Sequence, residues 1–321
     1  MFHWEKLGRV FDPTKVEDKP WLKEFAQAPA TFIFDKFIRV YFACRPLRDA
    51  NGLYVSYTGY VDLNKNNFHD ILKVADSPIF ALGDSGTFDE FGTYPTSVIR
   101  EGKNIVAYYG GWTRCSSVPF NVNIGKAISE DDGNTFKKIG NGGPVLSYSL
   151  NEPFILSGPK IRFFNNQYYL FYIAGNKWIM DNGNPEPVYK IRLATSQDGI
   201  SWTKLDKDLI VSTLEVDEAQ ASPDVFFWKG MYHMFFCYRY STNYRLNERG
   251  YKIGYAYSTD LINWTRDDIQ AGISISTSGD FDNESISYPH IFELNGELHM
   301  FYLGNQVGRF GFGWAKLKQN S

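Results

Sequence analysis

The 321 residues carry 33 Lys and Arg against 36 Asp and Glu, a formal net charge of −3, with 43% hydrophobic and 21% charged residues. That balance, without any basic run, excludes a disordered chain and a nucleic-acid binder working through bulk positive charge. No apolar stretch approaches the ~20 residues that span a bilayer, and the 17% aromatic content favours extended, half-buried structure over helix.

The chain opens on Met1-Phe2-His3-Trp4-Glu5-Lys6, which has neither a basic n-region nor an apolar h-region. Cys44, Cys115 and Cys237 are widely spaced, odd in number and outside any metal-ligand cluster, so reduced thiols and a cytoplasmic location are expected. From there a repeat of about 65 residues runs through the chain. Pro29, Pro95, Pro159, Pro223 and Pro289 are spaced by 66, 64, 64 and 66 residues. Six residues after each proline comes a polar hairpin-type turn: Asp35-Lys36, Glu101-Gly102, Asn165-Asn166, Lys229-Gly230 and Asn295-Gly296. A second run follows each turn and ends in an aromatic pair: Tyr41-Phe42, Tyr108-Tyr109, Phe171-Tyr172, Phe235-Phe236 and Phe301-Tyr302. Strand, short turn, strand is the pattern of a β-hairpin.

A third strand follows, as in Ile124–Ala127, Ile191–Ala194 and Ile253–Ala256. Then comes a Ser-x-Asp corner closed by an aromatic: Ser129 to Phe136, Ser196 to Trp202, Ser258 to Trp264. Asp and Ser bond their own backbone in such turns, so these corners read as structural. Four strands per unit and five units predict an all-β, five-bladed β-propeller. Its blades fall at approximately 27–90, 91–155, 156–217, 218–282, and 283–317 joined by 2–11, within a single domain spanning 1–321. The fifth unit lacks a fourth strand, and Trp4-Glu5-Lys6-Leu7 matches Trp202-Thr203-Lys204-Leu205, so the N-terminal strand is expected to complete the last blade.

In such a blade the start of the first strand and the end of the second lie at the same end of the hairpin, around one mouth of the central channel. Five residues before the prolines stand Glu24, Glu90, Phe154, Glu218 and Glu284, with Asp89, Glu152, Asp217 and Asp282 close by. Carboxylates converging on one funnel separate each other's pKa values into an acid and a base. Glu218 and Glu284, whose neighbours are small and uncharged, are the expected proton-transferring pair, with Asp89 or Glu90 tuning them; Glu24 reads as structural. Near the ends of the second strands stand Arg45, Trp112, Arg239 and Asn305, with Arg114 and Trp178 close behind and Gln27 just ahead of the first proline. Arginine forks read carboxylate or phosphate, and tryptophan faces stack on sugar rings.

The repeat, the proline mouth and the Ser-x-Asp-Gly corners resemble the five-bladed propeller glycoside hydrolases of families 32, 43, 62, 68, 117 and 130, and most closely the glycosidase-like proteins found among bacterial surface-polysaccharide genes. The resemblance runs from Phe2 to Leu317. Where family 43 places a base Asp and an acid Glu, this chain has Ala28-Pro29 and Ser157-Gly158-Pro159, so that pair is not carried over. The resemblance implies a glycosidase-like enzyme acting on a charged or polysaccharide-derived sugar by carboxylate acid–base catalysis. The alternatives are a non-hydrolytic binder of a glycan or nucleotide sugar, and a glycoside phosphorylase using phosphate. No cofactor is expected, unless a family 43-type calcium sits in the channel on His290. The partner is a carbohydrate, with no nucleic acid or membrane, and oligomeric state is left open.

Overall fold

The computed structural model describes residues 1–277 and 281–318. Five four-stranded antiparallel sheets form the blades of a β-propeller. Blade one holds Glu24–Ile33, Phe37–Arg45, Tyr57–Asn64 and Asn67–Val74, and blade two Thr93–Glu101, Asn104–Arg114, Phe120–Ser129 and Lys137–Lys138. Blade three holds Phe154–Phe164, Gln167–Asp181, Asn184–Ser196 and Thr203–Lys204, and blade four Ala219–Trp228, Met231–Arg239, Lys252–Ser258 and Thr265–Arg266. Blade five takes Ser287–Leu294, Glu297–Leu303 and Phe312–Leu317 from the end of the chain and Trp4–Phe11 from its start. Trp4 pairs with Leu317 and Lys6 with Ala315, so the ring closes by hydrogen bonds between the two ends.

The aromatic pair that marks each second strand has a simple physical reason. Successive side chains on a strand point to opposite faces, and each face of a blade meets a different neighbour. Tyr41 packs with blade two and Phe42 with blade five. Tyr108 faces blade three while Tyr109 faces blade one. The same split recurs at Phe171 and Tyr172, Phe235 and Phe236, and Phe301 and Tyr302. The hydrophobic core is therefore five inter-blade layers. The Ser-x-Asp corners join them: the Tyr41 and Tyr108 hydroxyls donate to the Gly133 and Gly199 carbonyls of the next blade's corner. Phe136, Trp202 and Trp264 sit edge-on to Tyr41, Tyr108 and Phe171.

Each proline lies in a break of its ladder. Register shifts fall between Gln27 and Ala30, Thr93 and Thr96, Ser157 and Lys160, Ala221 and Asp224, and Ser287 and His290. The X-Pro dipeptide is thus left out of the pairing, which suits a residue with no N–H to donate. Four of the bulged prolines, Pro29, Pro95, Pro159 and Pro223, line a cavity of only about 20 Å³ near the axis.

Beyond the prolines, the next residue of three blades forms a buried polar knot. The Asp224 Oδ2 accepts from Lys160 Nζ at 2.9 Å, His290 Nδ1 at 2.5 Å and the Ile291 N–H at 3.2 Å, and Oδ1 accepts from Arg162 at 2.6 Å. The Thr31 N–H of blade one donates to His290 Nε2 at 2.9 Å. Because Nε2 is occupied as an acceptor, the imidazole's single proton belongs on Nδ1, facing Asp224.

The carboxylates before the prolines have a structural role of their own. Asp89, Glu152, Glu218 and Asp282 are each at most 1% exposed. Each binds a cation on the fourth strand of its own blade: Lys138, Lys204, Arg266 and Lys6, at 2.5 to 2.6 Å. Asp89, Glu152 and Asp282 also accept from a tyrosine of the second strand, Tyr109, Tyr172 and Tyr302. These latches pin the lead-in segment across the end of its blade. Removing one partner of a buried pair leaves the other charge unpaired, at a cost of about 3–5 kcal/mol. Glu152→Ala, which leaves Lys204 without a carboxylate and Arg192 with Asp208 alone, should lower unfolding stability by that amount in urea titration; a change under ~1 kcal/mol would refute the latch.

Burial, followed by the adjacent Lys160 ammonium, holds His290 down to about 4 from the ordinary 6.5. The unfolded chain then takes up a proton that the folded one refuses, so stability is full above about pH 6.5 and falls as pH drops towards 4. His299 and His233 shift in the same direction, so the contribution of His290 is isolated by difference. Urea midpoints measured from pH 7.5 to pH 4.5 should fall less steeply for His290→Gln than for the unaltered protein; parallel slopes would exclude the buried neutral imidazole.

Candidate functional site

The expected catalytic carboxylates are not brought together. Glu218 is 0% exposed and held by Arg266, by Gln220 at 2.9 Å and by the N–H groups of Thr213 and Leu214 at 3.0 Å. Burial raises its carboxyl, but hydrogen bonds from Arg266 and Gln220 more than offset this, leaving it below its ordinary value and ionised. Asp89 belongs to the latch of blade two, and Glu90 accepts from the Gly86 N–H in a surface turn. Glu284 is exposed and lines a cavity of about 540 Å³ over blade five, with Lys6, Arg9 and Asn305. Glu218, Asp89 and Glu284 thus belong to three blades, and their surroundings include those blades' outer strands. In four of the five blades a carboxylate ahead of the proline serves blade closure, the role that Asp89 and Glu218 take here in place of the expected acid–base one.

The residues expected to bind substrate divide. Trp112 donates to Ser56 Oγ at 2.6 Å and packs on Phe91, filling the joint between blades one and two. Asn305 accepts from the N–H groups of Glu284 and Ser285 and donates to Asn283, fastening a loop. Gln27 donates to the Val307 carbonyl at 2.6 Å. Arg114 donates to the Tyr54 carbonyl at 2.6 Å and lies over Phe91. Trp178 meets Phe120 edge-on, and its buried indole N–H has no partner among the described residues.

Arg45 and Arg239 stand apart. They end the second strands of blades one and four and are linked across the mouth by tyrosines. Arg239 reaches the Tyr189 hydroxyl at 3.3 Å, Tyr189 shares a short hydrogen bond with Tyr251, and Tyr251 lies edge-on to Tyr288. The Tyr94 hydroxyl donates to that of Tyr288 at 2.8 Å, and both phenols fall within the electrostatic reach of Arg45. Tyr94 and Tyr288 directly precede two of the five prolines and are half-buried, presenting surface at the mouth. Burial pushes the phenols of Tyr94, Tyr251 and Tyr288 up from their ordinary value, so at neutral pH they act as hydrogen-bond donors.

Three of the residues before the prolines, Ala28, Ser222 and Tyr288, have φ of 52°, 50° and 51°. Left-handed backbone at non-glycine residues costs of order 1–3 kcal/mol each and gathers where geometry serves a site. Tyr94 and Tyr288 lie one residue before their prolines, outside the position five residues earlier where the carboxylates recur. The same repeat held the signal: aligned on the prolines, the preceding position reads Ala28, Tyr94, Gly158, Ser222, Tyr288.

The channel does not fit a calcium ion. His290 is engaged by Asp224 and Thr31, and the Lys160 ammonium stands 3.0 Å from its Nδ1 and 2.9 Å from Asp224. A cation of the protein's own already occupies the position a metal would need. Among the described residues no group of three or more His, Cys, Asp or Glu is arranged to hold a metal. No helix among them is long and apolar enough to cross a membrane.

No protein-family model matches the chain. Among solved structures, it superposes on a glycoside hydrolase with a TM-score of 0.76 at 15% identity, covering 98% of this chain and 92% of that one. A thermostable family-43 glycoside hydrolase gives 0.61 at 15% identity, covering 96% and 91%. A GH130 structure, from work on mannoside phosphorylases and on glycoside hydrolases that target β-1,2 mannosidic linkages in Candida mannan, gives 0.68 at 14%, covering 98% and 93%. At these identities the likeness is one of fold, the five-bladed propeller shared by glycoside hydrolases. By sequence, the chain is 32% identical over 316 residues to the uncharacterized proteins Rv1502 and MT1551 of Mycobacterium tuberculosis strains H37Rv and CDC 1551, covering 98% of this chain and 99% of each of them. The chain therefore belongs to the family of the uncharacterized mycobacterial protein Rv1502.

Proposed function

We propose that the protein recognises a carbohydrate at the tyrosine-lined mouth of the propeller, as a binding module without carboxylate acid–base catalysis. The observation that carries this reading is the mouth's composition: Tyr94, Tyr288, Tyr251 and Tyr189 between Arg45 and Arg239, while the buried carboxylates before the prolines are spent on latches. Tyrosine combines a flat apolar face with a hydroxyl, which suits the alternating C–H and O–H surfaces of a sugar. Glycoside cleavage needs two carboxyl groups flanking the bond, and Asp89, Glu152, Glu218 and Asp282 lie inside their blades. The fold shared with glycoside hydrolases supports carbohydrate as the ligand class, and a propeller can keep its groove after losing its chemistry.

On an immobilised panel of neutral and acidic oligosaccharides the protein should show saturable binding. Tyr94→Ala and Tyr288→Ala, checked for fold by circular dichroism, should weaken that binding at least about tenfold, as loss of a central aromatic contact does. A panel without any saturable ligand would sink the reading.

One observation favours a second reading, turnover as a hydrolase or phosphorylase. Glu24 is the carboxylate that reaches the arginine cluster: it accepts from the Tyr54 hydroxyl at 2.5 Å, and Tyr54 lies under Arg45. Burial raises the Glu24 carboxyl, but hydrogen bonds from Tyr54 and Arg309 more than offset this, so it sits below its ordinary value and ionised, as a base or nucleophile requires. If turnover exists, released reducing sugar or sugar phosphate should fall at least about 100-fold in Glu24→Gln while glycan binding persists. Undiminished product would remove Glu24 from the chemistry.

A further inference from the structure

Resting on the carbohydrate reading, we infer that the mouth selects an anionic ligand, a sugar bearing carboxylate or phosphate, whose oxyanion completes Arg239 and Arg45. The physical basis is an imbalance of charge. Charges taken out of water need partners, because desolvation costs several kcal/mol per ion. Most buried cations of this protein comply: Arg39 pairs with Asp62, Lys126 with Glu101, Lys160 with Asp224, Arg192 with Glu152 and Asp208, and Arg266 with Glu218 and Asp268. Lys190 lacks a carboxylate but has three oxygen acceptors, Ser212 Oγ and the Val216 and Glu218 carbonyls.

Arg239 is 2% exposed and has no carboxylate within ion-pair distance among the described residues. It donates to the Tyr240 carbonyl at 2.8 Å and, more weakly, to the Pro187 carbonyl at 3.5 Å and the Tyr189 hydroxyl at 3.3 Å, and its buried Nε has no partner among those residues. Tyr244 covers its face at 3.7 Å. The carboxylates nearby are committed elsewhere: Glu186 to Tyr244 and Arg245, and Glu215 to Ser241 and Arg249.

Arg45 is in the same position on the opposite side. It lies over Phe25 at 4.5 Å and Tyr54 at 5.0 Å, with no ion pair among the described residues. Arg48 lies over the same tyrosine ring at 4.0 Å, and Arg114 binds its carbonyl. The neighbouring carboxylate, Glu24, is taken by Arg309. A protein of net charge −3 thus gathers around one mouth four arginines without ion pairs among the described residues. Aromatic faces steady a guanidinium without neutralising it, so the Arg45 fork and the unpartnered Nε and weakly bonded Nη2 of Arg239 are what an oxyanion would satisfy.

Calorimetric titration of the full-length protein with four probes separates the sources of that oxyanion: trigalacturonate, its neutral counterpart galactotriose, glucose 1-phosphate and inorganic phosphate. At least one charged sugar should bind about tenfold or more tighter than galactotriose, with the advantage shrinking as salt rises. Arg45→Gln and Arg239→Gln should each reduce that advantage about tenfold, the low end for a charged hydrogen bond. If Arg239→Gln fails to fold, Arg45→Gln, at a half-buried position, carries the test, with urea midpoints confirming its integrity. Preference for trigalacturonate uncontested by phosphate supports a carboxylate ligand; preference for glucose 1-phosphate with competition by inorganic phosphate supports a phosphate ligand. Equal binding of charged and neutral sugars overturns this inference and leaves the carbohydrate reading standing. Binding of inorganic phosphate with no sugar bound overturns the carbohydrate reading instead.

Discussion

Everything near the axis depends on one backbone constraint, the X-Pro bulge in the first strand of each blade. A proline cannot contribute an N–H to a ladder, so each inner strand must release its partner there, and the freed dipeptide bends towards the centre. Four of these bulges, at Pro29, Pro95, Pro159 and Pro223, line a cavity of only about 20 Å³. They also sort the side chains on either side. In blades three, four and five the residue after the proline enters the buried knot where Lys160, Asp224 and His290 meet, and in blades two and five the residue before it is a tyrosine at the mouth, where Tyr94 and Tyr288 touch. One local feature thus separates a dry polar anchor from a surface built for contact.

That separation explains why similar residue types do different work in different places. A carboxylate placed before a proline could serve chemistry or closure, and the deciding quantity is what it meets. Asp89, Glu152, Glu218 and Asp282 each meet a cation of the fourth strand of their own blade. In blades two to four that strand has only two residues. A two-residue edge offers few ladder hydrogen bonds, so an ion pair from the lead-in segment supplies what the ladder lacks; in blade five the eight-residue Trp4–Phe11 comes from the other end of the chain, and Asp282 ties it to the blade it joins. In blade one the fourth strand has eight residues and continues directly from a hairpin, and the buried Glu24 binds Tyr54 and Arg309 in place of a fourth-strand cation.

The architecture was legible because it is written in periodic features. Proline spacing, hairpin turns such as Asn165-Asn166, with φ of 48° and 59°, and alternating aromatics each repeat five times and report the same geometry. The match of Trp4–Leu7 to Trp202–Leu205 even placed the closing strand. The site was less legible because its members come from different positions of the repeat: Tyr94 and Tyr288 before prolines, Tyr189 on a third strand, Tyr251 in the turn before one, Arg239 at the end of a second. Periodicity reveals what all blades share, and a binding site is made from what they do not share. Arg45 and Arg239 are conspicuous in the sequence because they occupy one aligned position of the repeat. Glu218 misled because its most visible feature, recurrence, is the property of a structural element.

The unpaired arginines fit this logic at the level of energy. An arginine already bound to a carboxylate offers a ligand little, since an incoming anion must displace the resting partner and gains only the difference. A guanidinium already stripped of water and held between aromatic rings has met its desolvation cost during folding, so the attraction to an arriving oxyanion is largely uncompensated. Maintaining Arg239 in that condition is possible because five inter-blade cores and four latches stabilise the ring independently of the mouth. The propeller can therefore hold one buried charge in want of a partner, beside the tyrosines that line the mouth.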